Sequence, residues 1–555
     1  MGWFRLAGLA IVVGGCAQDP SGSAVGGSST ATAASSASDG PATSAATSTG
    51  AGGTSSDDTT TAPNDGDTAG DGFIFDVGGV ADVHVRPPVR ECKVQDGDIS
   101  GVGSCKDVAP NDSFEPDVQW EFIGPPGYGS CLTPPLVANL TDDNDDGEID
   151  LCDIPDVVVV AGPGSEGGAG HIFVLNGETG AVQLEFDHNV QLGATPAIGD
   201  IDNDGVPDIV TVEPVGSCML VAFSATGTLL WTSDQPWSSC QTGAVALADL
   251  DADGDVEIIA GSNVYDHLGI QQFSAPFDAL YSASMAADLD GDGQLEAIFG
   301  HAAYRADGSE YYHRADVQAA TGSITAHPQV ANLDDDPEPE ILLAVDTGIW
   351  LLDHEGNVQW QNFAPTGESY DWNRPAAIHD FDGDGQPEFG VSSLNHFGVY
   401  ETDQSLLWVA NIVDTSGQAG GTAFDFLGQG RAQGIYADET NMWVFDDDGT
   451  ILMSTPRSSG TWIEYPTVAD IDNDGSAEIL VGANSGFTVQ AIRDVGDAWI
   501  PARRIWNQHT YHVTNVREDG TIPANEPPHW ENLNTFRTQA QIAAGGHVCN
   551  PDPRG

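Results

Sequence analysis

What this 555-residue sequence lacks most is positive charge: 16 Lys plus Arg stand against 84 Asp plus Glu, for a formal net charge of -68. Binding to a phosphate backbone needs a basic surface, so nucleic acid is excluded as a partner. Long apolar runs are lacking too, and the one at residues 6–13 is too short to span a bilayer as a helix. Histidine and cysteine do not cluster around the acids, which disfavours zinc at the acidic sites. No Ser/His/Asp or lyase-type base constellation can be placed either. An acidic excess of this size repels itself unless screened, and it favours a cation as partner.

The acids are not a disordered tail, because apolar segments flank them on both sides, as in "VALADLDADGDVEIIAG". The phrase recurs. Five tight loops carry Asp at positions 1, 3 and 5, Gly at 6 and Asp or Glu at 9. They are Asp200, Asp202, Asp204, Asp208; Asp249, Asp251, Asp253, Glu257; Asp288, Asp290, Asp292, Glu296; Asp380, Asp382, Asp384, Glu388; and Asp470, Asp472, Asp474, Glu478. Position 7 varies freely, through Val206, Asp255, Gln294, Gln386 and Ser476. A hard cation imposes that contrast, because side-chain oxygens are specified while position 7 offers only its carbonyl. Calcium suits this many oxygens at flexible distances better than magnesium, which keeps its water.

A sixth candidate is an insertion. "DDNDDGEIDLCD" sets Asp142, Asn144, Asp146, Glu148, Asp150 and Asp153 at positions 1, 3, 5, 7, 9 and 12 with Gly147 at 6, and resembles an EF-hand or dockerin loop. It lies between Asn139 and Asp156, which hold places 1 and 9 of a loop of the repeated kind. Two loops have decayed: "NLDDDPEPE" puts Pro337 where the Gly belongs, and "DFLGQGRAQ" keeps Asp425 but loses the other carboxylates. About six calcium sites are expected. At the affinities of extracellular modules and millimolar calcium each contributes roughly 0.4–1.4 kcal/mol, so the ions are expected to be structural.

The loops return at intervals of roughly 40–50 residues, the range of propellers and solenoids. Around each lie four short apolar segments, such as "TPAIGD", "IVTVEP", "MLVAFSATG" and "TLLWTS", which is the make-up of a propeller blade. The fold class is therefore all-β, a β-propeller of four-stranded blades. Eight loop starts, Asn139, Asp200, Asp249, Asp288, Asn332, Asp380, Asp425 and Asp470, predict eight blades, with seven as the alternative. "VQWEF" reads as a fourth strand without a blade of its own, able to close the ring on the last one. With "AIFGHAA", "IIAGSNV" and "ILVGANSG", the units resemble the FG-GAP or VCBS repeats of the integrin alpha-subunit N-terminal propeller. That resemblance implies a calcium-binding propeller and an adhesive role.

"MGWFRLAGLAIVVGGC" reads as a secretory signal, and its last four residues resemble the bacterial lipobox. The resemblance implies lipidation at Cys16 and anchorage in the cell envelope, at the outer membrane or cell surface, as the only membrane contact. Residues 17–72, rich in Ser, Thr, Ala and Gly, read as a disordered tether. A Cys-containing segment, 73–116, precedes the propeller at 117–510 and a C-terminal tail at 511–555 packed on it. In an exported protein disulfides are expected, with Cys92/Cys105, Cys131/Cys152 and Cys218/Cys240 as nearest-neighbour pairs and Cys549 alone.

The segments entering each blade's first strand lie opposite the acidic loops if the integrin-like strand order holds. They carry Tyr128, Trp237, Tyr281, Trp372, Trp462 and Tyr465, with Arg374, Asp371 and Glu464 beside them. Either these form a ligand face for a glycan or macromolecule, or they pack between blades. "WIPARRIWNQHTYHVTNV" concentrates Trp, His and Arg, with His509, His512 and Arg504 as recognition or catalytic candidates; its alternating apolar residues predict a strand packed on the propeller. The functional expectation is a tethered binding or adhesion module without catalysis. The alternatives are a carbohydrate-active enzyme of the polysaccharide-lyase kind and a purely architectural envelope protein.

Overall fold

The structure is a computed structural model describing residues 92–551 apart from 95–96, 102, 165–166, 238–239, 278–282, 322–326, 335, 346, 367–373, 416–418 and 544–545. The signal segment with Cys16, the tether, residues 73–91, Tyr281, Asp371 and Trp372 lie outside it.

Eight antiparallel sheets of four principal strands form an eight-bladed propeller. The first strands of blades 1 to 8 are Leu136–Ala138, Ala197–Gly199, Gly243–Ala248, Met285–Ala287, His327–Ala331, Ala377–His379, Gly421–Phe424 and Thr467–Ala469. Second strands such as Asp156–Gly162 and Glu340–Val345 are buried at every residue, since neighbouring sheets cover both faces. Fourth strands such as Val358–Phe363 alternate between solvent and the next blade. Among the described residues the only helices are Ala315–Thr321 and the 3-10 turn His529–Glu531.

The ring closes as "VQWEF" predicts. Strand Pro116–Phe122 pairs antiparallel with Val489–Asp494 and serves as the fourth strand of blade 8. Packing at the seam repeats that elsewhere. At six junctions an aromatic ring of one blade's fourth strand lies on a left-handed glycine in the next blade's last turn: Trp120 on Gly180, Phe186 on Gly227, Trp231 on Gly269, Phe273 on Gly308, Tyr312 on Gly356 and Trp408 on Gly449. A Cβ there would come within 2.5 to 3.1 Å of the aromatic side chain, so both space and backbone demand glycine. The recurrent fourth-strand Trp is thus an inter-blade knob, and Trp120 supplies it at the seam.

The last blade strand ends at Asp494. Residues 495–510, expected in the propeller, belong instead with the tail, which fills the central channel. It reaches the innermost strand of every blade, or the residue before it. Val137 and Trp506 exchange backbone hydrogen bonds at 2.9 Å, and Ile198 N–H donates to Asn507 O at 2.8 Å. Leu247 N–H donates to Gln508 Oε1, and Thr510 Oγ1 to Ser284 O. His529 Nε2 donates to Val330 O; Ile378 and Phe536 exchange backbone bonds. Thr422 Oγ1 donates to Arg537 O, and Gln539 Nε2 to Val468 O. Edge strands need partners for their free N–H and C=O groups, and the tail supplies them. It does so through isolated bridges instead of the alternating strand expected, because it must turn from blade to blade.

The disulfides are Cys92–Cys152, Cys105–Cys549 and Cys218–Cys240, with Cys131 free and buried. Only Cys218–Cys240 follows nearest-neighbour order. The tail returns to the N-terminal segment and brings Cys549 to Cys105. The insertion folds against Cys92, where Leu151 N–H donates to Cys92 O at 2.9 Å. Burial pushes the Cys131 thiol up to about 12.

Candidate functional site

Each acidic loop joins a first strand to a second, and one device recurs in all eight. Position 9 opens the second strand, and its side-chain oxygen accepts the backbone N–H of position 2. The pairs are Asp156 with Leu140, Asp208 with Ile201, Glu257 with Leu250, Glu296 with Leu289, Glu340 with Leu333, Glu388 with Phe381, Gln433 with Phe426 and Glu478 with Ile471, at 2.6 to 3.3 Å. Position 1 turns its carboxylate back into the loop. Asp249 accepts from Asp253 and Gly254, and Asp380 from Gly383 and Gly385. Position 4 also takes a left-handed backbone, at Asn203, Ala252, Gly291, Gly383 and Asn473. That requirement shows in the sequence as Asn and Gly at four of five loops, with Ala252 accepting the strain.

These bonds leave oxygens over. Glu388 Oε1, Glu478 Oε1 and Asp470 Oδ1 are buried with no hydrogen-bond partner among the described residues. In blades 2, 3 and 6, donor oxygens of Asp200, Asp202 and Asp208, of Asp249, Asp251 and Glu257, and of Asp380, Asp382, Asp384 and Glu388 lie within 4.8 Å of one another. Burial, with neighbouring carboxylates adding to it, pushes Glu388 up to about 9, Glu257 to about 8 and Asp208 to about 7. Asp470 and Glu478 are raised well above the usual carboxylate range by the same causes. All-oxygen, each with a buried or half-buried carboxylate at its base and a partnerless buried oxygen in blades 6 and 8, these sets fit a hard divalent cation of the calcium type, which would supply the missing counter-charge.

Protein donors intrude in other blades. Arg305 Nη2 sits 3.0 Å from Asp290 Oδ2 in blade 4. Gln119 Nε2 reaches Asp472 Oδ2 at 2.7 Å in blade 8, and Gln359 Nε2 reaches Asp334 and Glu340 in blade 5. In the insertion, Asp142 accepts from Asp146 and Gly147, which is the tight-loop turn again. Glu148 pairs with Lys93 at 2.9 Å. Asp153, assigned as the twelfth ligand, is buried and accepts the backbone N–H groups of Asp143, Asn144 and Asp150; it secures the turn. In blade 1 the spacing missed Asp143, whose carboxylate is held by Thr141, Asn176 and Gln183, close to Asp156.

The expected aromatic ligand face is largely corrected. Trp237 and Tyr465 are 1% exposed, Trp237 lying on Gly261 and Tyr465 donating to His509 O. Arg374 is buried in an ion pair with Asp414 at 3.0 Å, and Glu464 in one with Arg457. Trp237, Arg374 and Glu464 fill junctions between blades, whereas Tyr465 packs on the tail against Trp506 and His509. Tyr128 and Trp462 remain half-buried; Tyr128 packs at a tilt against His171, whose Nδ1 is held by Glu185.

The tail candidates are inside the plug. Arg504 is fully buried, pairing with Glu518 at 3.0 Å and donating to Leu151 O and Asn473. His509 is buried, and burial with Arg537 beside it pushes its pKa well below the usual value. His512 contacts Glu526.

No family model matches the chain, and no curated protein does. Among solved structures it is similar to the V. cholerae biofilm matrix protein Bap1, at 21% identity and a TM-score of 0.67, over 79% of this chain and 100% of that one. Rhamnogalacturonan lyase YesW aligns at 17% identity and a TM-score of 0.47, over 79% of this chain and 85% of that one. At 21% identity the likeness to Bap1 is one of fold.

Proposed function

We propose that this chain is a calcium-stabilised propeller, tethered at the cell surface through Cys16, that binds a macromolecule or glycan on its outer surface. The observation that carries this reading is the filled channel. Propeller ligands commonly enter the mouth of the channel, but here the tail occupies it and Arg504 and His509 are consumed in holding it. A ligand is left with the rims, where Tyr128 beside His171 and the ring of Trp462 offer part of their apolar faces next to polar groups. The calcium loops act as scaffold, each joining two strands of one blade. The likeness in fold to a protein named for a biofilm matrix accords with a binding role.

The test is a panel of polysaccharides and envelope glycans, scored for both binding and product release in millimolar calcium. Binding without release is expected, weakened by Tyr128→Ala or Trp462→Ala. Turnover of any panel member would overturn the reading in favour of a carbohydrate-active enzyme, and absence of binding would favour a purely architectural role.

A further inference from the structure

The plug carries a side-chain cluster of a different kind from the acidic loops. His512, Glu526 and His529 each place a donor atom within 4.8 Å of the others. The two histidines are 2% and 1% exposed. His512 Nδ1 lies 3.0 Å from Thr510 O, and His529 Nε2 lies 2.8 Å from Val330 O. A carbonyl oxygen only accepts, so each of these nitrogens carries the proton. The lone pairs are then on His512 Nε2 and His529 Nδ1. The first is 2.6 Å from Glu526 Oε1; the second is buried with no hydrogen-bond partner. Thr514 Oγ1 holds the same carboxylate oxygen at 2.8 Å, and Asn515 Oδ1 accepts the backbone N–H of His512.

Neutral imidazoles whose outer N–H is fixed on a carbonyl present the other nitrogen as a metal ligand, and this is how metal-binding histidines are ordinarily held. Without an ion, the lone pair of His512 Nε2 faces a carboxylate oxygen at 2.6 Å, and His529 Nδ1 has nothing to bond. One cation answers both needs.

We propose that His512, His529 and Glu526 form a site for a divalent transition-metal ion of the zinc type, which clips the plug to the first strand of blade 5. Two imidazoles and one carboxylate suit zinc and its neighbours in the series and are a poor set for calcium. Tetrahedral coordination at about 2.0–2.2 Å separates neighbouring donors by roughly 3.4 Å, so small side-chain rotations convert the cluster into a ligand set. The site is mechanical: His529 donates to Val330 through its outer nitrogen, so the ion and blade 5 share one side chain. The plug is thereby pinned by a metal at one point and by the Cys105–Cys549 disulfide at another.

The experiment loads the chelator-treated, full-length protein with Co2+ or Zn2+ in saturating calcium, which keeps the acidic loops occupied. One equivalent of Co2+ is expected to bind with the visible absorption of a tetrahedral nitrogen and oxygen site, and Zn2+ is expected to displace it and raise Tm. His529→Gln, whose amide can still donate to Val330 O, and Glu526→Gln, which keeps an acceptor for Thr514, are each expected to weaken binding at least tenfold with unchanged circular dichroism. Loss of even an outer-shell partner costs about 10–100-fold. If His529→Gln fails to fold, Glu526→Gln is read alone. No binding in calcium, an octahedral spectrum, or binding that survives the substitution would overturn the site.

Discussion

The loops of blades 6 and 7 are neighbours with one backbone and two chemistries. At 380–388, Asp380 accepts backbone N–H groups, Glu388 accepts that of Phe381, and Asp382 and Asp384 complete a set of four carboxylates. At 425–433, Asp425 caps Gln429 and Gly430 in the same way, and Gln433 Oε1 accepts the N–H of Phe426 at 2.9 Å. Leu427 and Gln429 stand where the other carboxylates would be. The turn therefore forms without a charge at positions 3, 5 or 9. What those charges add in the intact loops is repulsion, unless a cation joins them, and blade 7 serves as an internal control for what the cation contributes.

The largest test of that contrast is removal of the ion from every loop at once. About six sites at roughly 0.4–1.4 kcal/mol each make the expected loss about 2–8 kcal/mol, read as a fall in Tm in chelator against millimolar calcium. Magnesium at equal concentration is expected to restore little. An unchanged melting curve would erase the difference between the two kinds of loop.

Next is pH. In chelator, Glu388 is raised to about 9, and Glu257 and Asp156 to about 8, above their unfolded values near 4. The native state then holds more protons than the unfolded one across that window. Stability is fully present below about pH 4 and falls as pH rises towards 9. Bound calcium would hold the same groups ionised, so the fall is expected to be absent in its presence. Melting temperatures at pH 5 and 8, with and without calcium, check both halves; a metal-free protein that gains stability from pH 5 to 8 would contradict the burial of these acids.

Single substitutions sharpen the comparison. Asp251→Ala removes an exposed carboxylate from an intact loop and is expected to cost about 1 kcal/mol in calcium, with much of that cost vanishing in chelator. Asp425→Ala removes two backbone caps and is expected to cost the same in both conditions; a larger calcium-dependent loss there would break the assignment of ligands by loop position. The smallest effect is at blade 4, where Arg305 stands as a built-in counter-ion. Arg305→Gln is expected to tighten calcium at that loop by a few tenths of a kcal/mol to about 1.

Blades were legible in the sequence because each repeats the same order of strands and loop, and position 7 of the loops, free to vary, marks off the ligand positions. The plug was not legible. Trp506, Asn507, His529 and Gln539 bond to strands between roughly 70 and 370 residues away, and a segment that meets eight strands in turn has no period of its own. Trp237 could not be assigned to surface or junction from its neighbours in sequence, because what decides it is the bare backbone of Gly261 in the next blade. Cys105 and Cys549 meet only because the tail returns from the channel to the N-terminal segment. Most residues acting within one repeat could be read, Asp143 excepted; of those acting between repeats, the closing strand could be read and the plug and the junction side chains could not.

The central claim, that the intact loops carry charge for a structural cation, is tested most directly by converting one kind of loop towards the other with Glu388→Gln. Gln433 shows that an amide can make the backbone bond to position 2, so the turn is retained and one buried charge is lost. Unfolding of this variant and wild type should be compared by denaturant titration in millimolar calcium and in chelator. The account predicts that the calcium dependence is lost: the variant less stable than wild type by about 1 kcal/mol in calcium, where a ligand is missing, and equal or more stable in chelator, where a buried carboxyl with a partnerless oxygen has been removed. A variant equally destabilised in both conditions would contradict it.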